Sequence, residues 1–331
     1  LNDRKVEYFF FNELAEGSCS KTVERALSLA KEGHIHGVIA VGGVTALNVG
    51  RAVAAMFNEV HSFNTFLDGA QPNTNPIPCI CVPSTYRTPF VFTNEVPITD
   101  SRNHQVKLLK VQKNLCKLVL YDPNMTLTLT DNQKATLSIE LISMAVEAYL
   151  SQKANFFSDT FVEKGLQLLT YALDGSPSLD ITTPEEILLA QAGTMLSLAT
   201  TSSSLGLASL LSLTINSRYS IVKPLISSIL LPYMLEDAAK YKSSQIVKLA
   251  KIMNCIPEDE NPSSEEICNY FIESIRQRIA KANLPTRLKD LNLTIEQLSL
   301  AVEDVKQIDI VNTLPRSMST DDIFDFVKKA Y

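Results

Sequence analysis

Histidine is scarce in this chain. The 331 residues hold four, His34, His36, His61 and His104, and none follows. Because imidazole is the commonest neutral ligand of iron and zinc, the long segment after His104 cannot supply a histidine-ligated metal centre. Basic blocks are also missing, and the net charge of −6 argues against nucleic acid or an anionic membrane as partner. The six cysteines, Cys19, Cys79, Cys81, Cys116, Cys255 and Cys268, are scattered. Cys79 and Cys81 form only a C-x-C within an apolar run, which suits strand packing rather than a zinc knuckle or disulfide framework. A reducing, cytoplasmic setting is therefore expected. The chain opens on Leu1 with no signal-peptide pattern, so a trimmed start is expected. There is no P-loop, no H-E-x-x-H, no G-x-S-x-G elbow and no basic-aromatic surface.

The composition, 45% hydrophobic and 20% charged, is that of a globular protein long enough for two domains. The stretch 187–217 carries no charge and has the length of a bilayer span. It is diluted, however, by Gln191, Gly193, Gly206, Asn216 and many Ser and Thr, and lacks flanking basic clusters. A helix pair buried in a helical domain is expected instead of a membrane segment.

Along the first third, short apolar runs alternate with helical periods. "YFFF" (8–11), "GVIAV" (37–41), "PIPCICVP" (76–83), "KLLKV" (107–111) and "CKLVLYDP" (116–123) read as strands. Ser20 caps one predicted helix, and the Gly42–Gly43 turn leads into another over 46–57. Such alternation predicts a parallel α/β sheet. From about Thr136 onward only helical periods occur. "SEEICNYFIESIRQRIAKA" aligns Ile267, Phe271, Ile275 and Ile279 on one face, and Ser319 with Asp322 forms a capping box for the last helix. The expected architecture is an α/β domain of Rossmann-like nucleotide-binding type (residues 1–131), a hinge around 121–133, and an all-helical domain (132–331).

Several strings in this order resemble motifs of the iron-containing alcohol dehydrogenase family, within the dehydroquinate synthase-like and glycerol dehydrogenase-like group. "GGVTALNVGR" (42–51) resembles the family's phosphate turn G-G-G-S-x-x-D-x-A-K. "PSTYRTPFV" (83–91) is similar to its second cofactor loop, P-T-T-x-G-T-G-S-E. "LYDP" (120–123), "ELISMAVEAYLSQKAN" (140–155) and "LPRSMSTDDIFDFVKKAY" (314–331) resemble the strings that precede, open and close its helical domain. The likeness runs through nearly the whole chain, with the family's opening strand unit absent before Leu1. It implies a dehydroquinate synthase-like fold, NAD or NADP as cofactor, and a homodimer paired through the α/β domain.

The resemblance also implies a metal held by one Asp and three His, which polarises the alcohol oxygen. Those positions fall here on Glu140, Met144, Ser209 and Lys223, and a fifth, proton-handling His falls on Leu213. Met and Ser are poor ligands for iron or zinc and a charged Lys repels them, so no iron or zinc is expected. Lys223 is expected to face Glu140, its ammonium supplying the missing positive charge, or else to lie on a solvated loop. Either residue is a candidate for residual catalysis.

For the cofactor, Gly42 and Gly43 keep close backbone approach possible, Thr45 keeps a hydroxyl, and Asn48 and Arg51 replace the family's Asp and Lys. The second loop offers Ser84, Thr85, Arg87 and Thr88, but Arg87, Pro89 and Phe90 fall where the family has Gly, Gly and Ser. Arg87 could bind a phosphate or other anion in an altered mode; alternatively these side chains fill an emptied cleft. Two functional readings lead, ahead of a weaker third, a lyase- or synthase-like enzyme using the cleft for a phosphorylated sugar. One is a degenerate member without metal-dependent alcohol oxidation, serving as a binding or regulatory subunit with a small-molecule or anionic ligand in the interdomain cleft. The other is a metal-independent NAD(P)-dependent oxidoreductase acting on a small alcohol, aldehyde or ketone.

Overall fold

The computed structural model describes residues 2–176, 181–258 and 261–331. It divides into two compact units. The first takes the residues up to Ser84 together with Thr93–Tyr121; the second takes Thr85–Phe92 and Asp122–Tyr331. The segment 85–92 is thus grouped with the helices, although its neighbours on both sides belong to the α/β unit.

In the first unit, strands β1 (Val38–Gly42), β2 (Cys79–Pro83) and β5 (Cys116–Val119) form a parallel sheet in the order β1-β2-β5. Helix α1 (Ser20–Glu32) precedes β1, and α2 (Val44–Met56) follows it. Close approach of α2 to β1 depends on Gly50, where a Cβ would lie 2.6 Å from Ala40 Cβ. Ala40, Cys79 and Cys81 are buried, as the C-x-C strand reading requires. The alternate residues Ile39, Val41 and Leu118 are about half exposed, so one sheet face carries apolar side chains in contact with solvent.

Two strand expectations are corrected. The run 107–111 does not join the parallel sheet. Instead β4 (Gln105–Lys110) folds back antiparallel on β3 (Glu95–Asp100), with Asp100 opposite Gln105. The reversal is made by residues 101–104, with His104 at a positive φ of 59°, and Arg102 fastens the turn through Asp100 and Asp68. The "YFFF" run forms no strand, and Phe9 and Phe10 are exposed. An apolar run becomes a strand only where a neighbour accepts its ladder bonds, and none lies beside it.

The second unit is helical throughout its described residues after Asp122: α4 (Asp131–Leu150), α5 (Phe156–Asp174), α6 (Glu185–Ser202), α7 (Leu207–Tyr219), α8 (Lys223–Ile252), α9 (Ser264–Lys281), α10 (Ile295–Val305) and α11 (Thr320–Ala330). Local sequence explains where they start. Capping boxes close the N-termini of α4 (Thr130, Gln133), α9 (Ser263, Glu266), α10 (Thr294, Gln297) and α11 (Ser319, Asp322). Helix α4 is central: from Ser138 to Leu150 every residue is buried. The uncharged 187–217 stretch becomes α6 and α7, bent by 98° at the break between them, and no single helix is long and apolar enough to cross a membrane among the described residues.

The segment 85–92 is seated on α6. A Cβ at Gly193 would lie 2.0 Å from the Tyr86 carbonyl oxygen, so only glycine lets that backbone approach. Gly193→Ala should accordingly cost about 3 kcal/mol or more by denaturant unfolding, because backbone has to move. Gly43→Ala, whose Cβ meets nothing within 4 Å, should cost less than about 1 kcal/mol. Similar losses in both variants would refute this seating.

Candidate functional site

Two constellations hold the residues singled out from the sequence. The first is the turn after β1. Gly42 adopts a φ of 138°, which L side chains rarely adopt, and Gly43 is the N-cap of α2 with no side-chain cap. The Ser84 N–H donates to the Gly42 carbonyl at 2.9 Å and ties the end of β2 to the turn. Backbone can therefore approach a phosphate here, at a helix N-terminus, as the family's cradle does. The turn's polar side chains are less available. Thr45 is partly exposed, but Asn48 is buried and its amide donates to the Pro97 carbonyl at 3.2 Å. Arg51 is buried as well, its guanidinium donating to the carbonyls of Thr93 at 2.6 Å and Glu95 at 3.3 Å. Both residues hold the β3–β4 hairpin to α2.

The second constellation lies wholly in the helical unit. Arg87, carried in by the 85–92 segment, meets Glu140 of α4, with Nε 2.5 Å from Oε1. The two side chains are 3% and 1% exposed. The segment is held on both sides of Arg87. The Thr85 hydroxyl accepts from the Arg87 N–H at 3.4 Å, and the Thr88 N–H donates to the Ser197 hydroxyl at 3.3 Å. Phe90 and Val91 are buried behind it.

The sequence leaves Lys223 either facing Glu140 as its counter-charge or on a solvated loop, and the structure differs from both in part. No ion pair joins them; the guanidinium of Arg87 takes the place. Of the Arg87 guanidinium, Nε is engaged by Glu140. Lys223 nonetheless belongs to the cluster. It is the first residue of α8, it is half-buried, and its ammonium feels the charges of Arg87 and Glu140. Desolvation first, then repulsion from Arg87, pushes this ammonium down to about 8, with Glu140 opposing. Burial pushes the Glu140 carboxyl above the ordinary range, while Arg87 and then Lys223 pull it back.

The other two family metal positions are occupied by different business. Met144 is fully buried. Ser209 is bound to the buried Glu147, its N–H donating at 2.9 Å and its hydroxyl at 2.5 Å. Glu147 thereby caps the start of α7, and burial raises its carboxyl. A carboxylate already paired with a guanidinium, a thioether, a hydroxyl spent on a second carboxylate and an ammonium do not fit a divalent cation. Among the described residues no three His, Cys, Asp or Glu side chains converge as a metal site.

The Arg87–Glu140 pair is what sequence reasoning missed. Its one signal was a charge appearing at a glycine position of the second loop while the neighbouring helix kept a carboxylate without histidines.

The family model described as "Iron-containing alcohol dehydrogenase" matches residues 1–123, and the model described as "Fe-containing alcohol dehydrogenase family, C-terminal" matches 134–331. The chain is similar to lactaldehyde reductase of Escherichia coli K12, 21% identical over 89% of this chain and 76% of the relative. It is similar to 1,3-propanediol dehydrogenase of Citrobacter freundii, 18% identical over 100% of this chain and 85% of the relative. In structure it matches a 1,3-propanediol oxidoreductase with a TM-score of 0.89 at 17% identity, covering 100% of this chain and 86% of that one. An alcohol dehydrogenase from Oenococcus oeni matches with the same TM-score of 0.89 at 19% identity over the same shares, 100% and 86%. Such distant likeness establishes the fold: an α/β unit with a parallel sheet followed by a helical unit, as the sequence leads one to expect.

Two outcomes check the charge cluster. Arg87→Met leaves a buried carboxylate without its partner and should destabilise the protein by about 3–5 kcal/mol, most of which the double variant Arg87→Met/Glu140→Gln should recover in a double-mutant cycle. Lys223 has a folded value of about 8, below the ordinary lysine value of about 10.4 that the unfolded chain retains. Between those limits the unfolded chain binds the extra proton, so stability rises with pH there. The stability of the natural protein relative to Lys223→Met should therefore climb across that window, measured by urea unfolding at successive pH values. A flat difference would show that the ammonium is solvated.

Proposed function

Because the chain belongs to the iron-containing alcohol dehydrogenase family, we propose that it is a member that has lost metal-dependent alcohol oxidation and works as a binding or regulatory subunit. The observation that carries this reading is the buried Arg87–Glu140 pair. The one carboxylate left at the family's ligand positions faces a fixed guanidinium, and a divalent cation would have to displace that charge as well as accept Met144, Ser209 and Lys223 as neighbours. Loss of the metal removes the Lewis acid that stabilises an alkoxide, and neither Arg87 nor Lys223 offers a cation of comparable charge.

A second reading, a metal-independent NAD(P)-dependent oxidoreductase for a small alcohol, aldehyde or ketone, is favoured by one feature. The Gly42–Gly43 turn keeps open backbone at the start of α2, with Thr45 beside it. Gly42, Gly43, Thr45 and Ser84 are the residues that would meet a dinucleotide there. Against it, Asn48, Arg87 and Thr88 are spent on internal contacts. A cytoplasmic setting and a homodimer paired through the α/β unit are part of the proposal, and the apolar sheet face of Ile39, Val41 and Leu118 supports the pairing.

Titration with NADH and NADPH, followed by nicotinamide fluorescence, tests the two readings when elemental analysis is run on the same sample. The expected outcome is iron and zinc well below one equivalent even after reconstitution, together with no saturable dinucleotide binding. Saturable binding of NADH or NADPH without metal would favour the second reading. Stoichiometric metal with alcohol oxidation would overturn both.

A further inference from the structure

The Arg87–Glu140 pair satisfies neither partner. Beyond the contact of Arg87 Nε with Glu140 Oε1, Arg87 Nη2, Glu140 Oε2 and the Ser143 hydroxyl are buried and make no hydrogen bond among the described residues. Ser143 lies one helical turn beyond Glu140 on α4 and is 1% exposed. Lys223 brings a third set of donors, and its ammonium forms no ion pair with Glu140. Buried polar groups in folded proteins are paired almost without exception, and an orphaned one costs about 1–3 kcal/mol. Unmet groups beside one ion pair, in a helical unit whose other buried acids, Glu147 and Asp304, are served by Ser209 and Arg218, describe the complement of a ligand.

The unmet groups specify what it would be. Two cations and one carboxylate leave a surplus of one positive charge, which asks for a monoanion. Arg87 Nη2, the Lys223 ammonium and the Ser143 hydroxyl are donors, and a carboxylate presents two acceptor oxygens suited to a guanidinium and an ammonium together. The unserved Glu140 oxygen is an acceptor and needs a hydroxyl. Dianions are disfavoured because the fixed Glu140 charge stands beside the site. We propose that the helical unit binds a short 2-hydroxycarboxylate, its carboxylate on Arg87, Lys223 and Ser143 and its hydroxyl donating to Glu140. This rests on the reading that protein cations, not a metal, stand at these positions.

The test uses glycolate as probe, with acetate and inorganic phosphate as comparisons at constant ionic strength, read by calorimetric titration and by the shift of the unfolding midpoint. Glycolate is expected to bind saturably, and acetate, lacking the hydroxyl, about tenfold more weakly. Lys223→Met is expected to weaken glycolate by about tenfold or more, and Arg87→Met/Glu140→Gln to abolish the saturable response. Should the double variant not fold, Lys223→Met and Ser143→Ala decide. Non-saturable responses, equal binding of acetate and glycolate, or unchanged affinity in Lys223→Met would each overturn the inference. Elemental analysis separates the two levels of argument. Stoichiometric iron or zinc defeats the reading beneath, whereas metal-free protein that ignores glycolate defeats only the ligand assignment.

Discussion

A carboxylate enclosed at the centre of a helical unit has to be neutralised, and the contact between Glu140 and Arg87 does this within the chain itself. Removing both groups from water is expensive, and their attraction compensates only when the partners are held in place. Much of the surrounding structure holds them. The segment Thr85–Phe92 leaves the α/β unit and is gathered among the helices. Thr88 is fastened to Ser197, and Tyr86 is seated where Gly193 leaves room for its carbonyl. On the other side α4 is buried for most of its length, so Glu140 cannot turn to solvent.

The α/β unit follows a different economy. Its polar residues in α2 are turned inward as struts: Asn48 to Pro97, Arg51 to Thr93 and Glu95. These contacts bind the antiparallel β3–β4 hairpin to α2. The glycine turn before α2 keeps its shape without them, because Gly42 supplies the positive φ and Ser84 the hydrogen bond. Cradle geometry and side-chain chemistry have therefore come apart. Open backbone persists at the start of α2, although Asn48 and Arg51 serve the fold.

The same separation marks the family's metal positions. Each is still on a buried helix or at a helix start, yet the chemistry there is that of a protein interior: a guanidinium pair at Glu140, a packed thioether at Met144, a helix cap through Ser209 and Glu147, and a depressed ammonium at Lys223. Scaffold and site respond to different constraints. Packing tolerates any side chain of fitting volume, whereas coordination of a divalent ion demands particular donor atoms.

Local rules determined much of this protein from its sequence. Hydrophobic periods such as Ile267, Phe271, Ile275 and Ile279 and the cap at Ser319 marked helices, the Gly42–Gly43 turn marked the first strand-to-helix junction, and the lack of histidine beyond His104 ruled out imidazole ligation in the helical unit. Those features depend on residues a few positions apart, so they are readable in the chain. What only the tertiary structure decided depends on partners far apart. It sent 107–111 into a hairpin and left 8–11 unpaired, because a strand exists only where another edge receives it. It also chose Arg87 over Lys223 as the partner of Glu140. Both cations were available in the sequence, and the choice rested on which backbone could be brought against α4, a matter settled by the room at Gly193 and the anchor at Ser197.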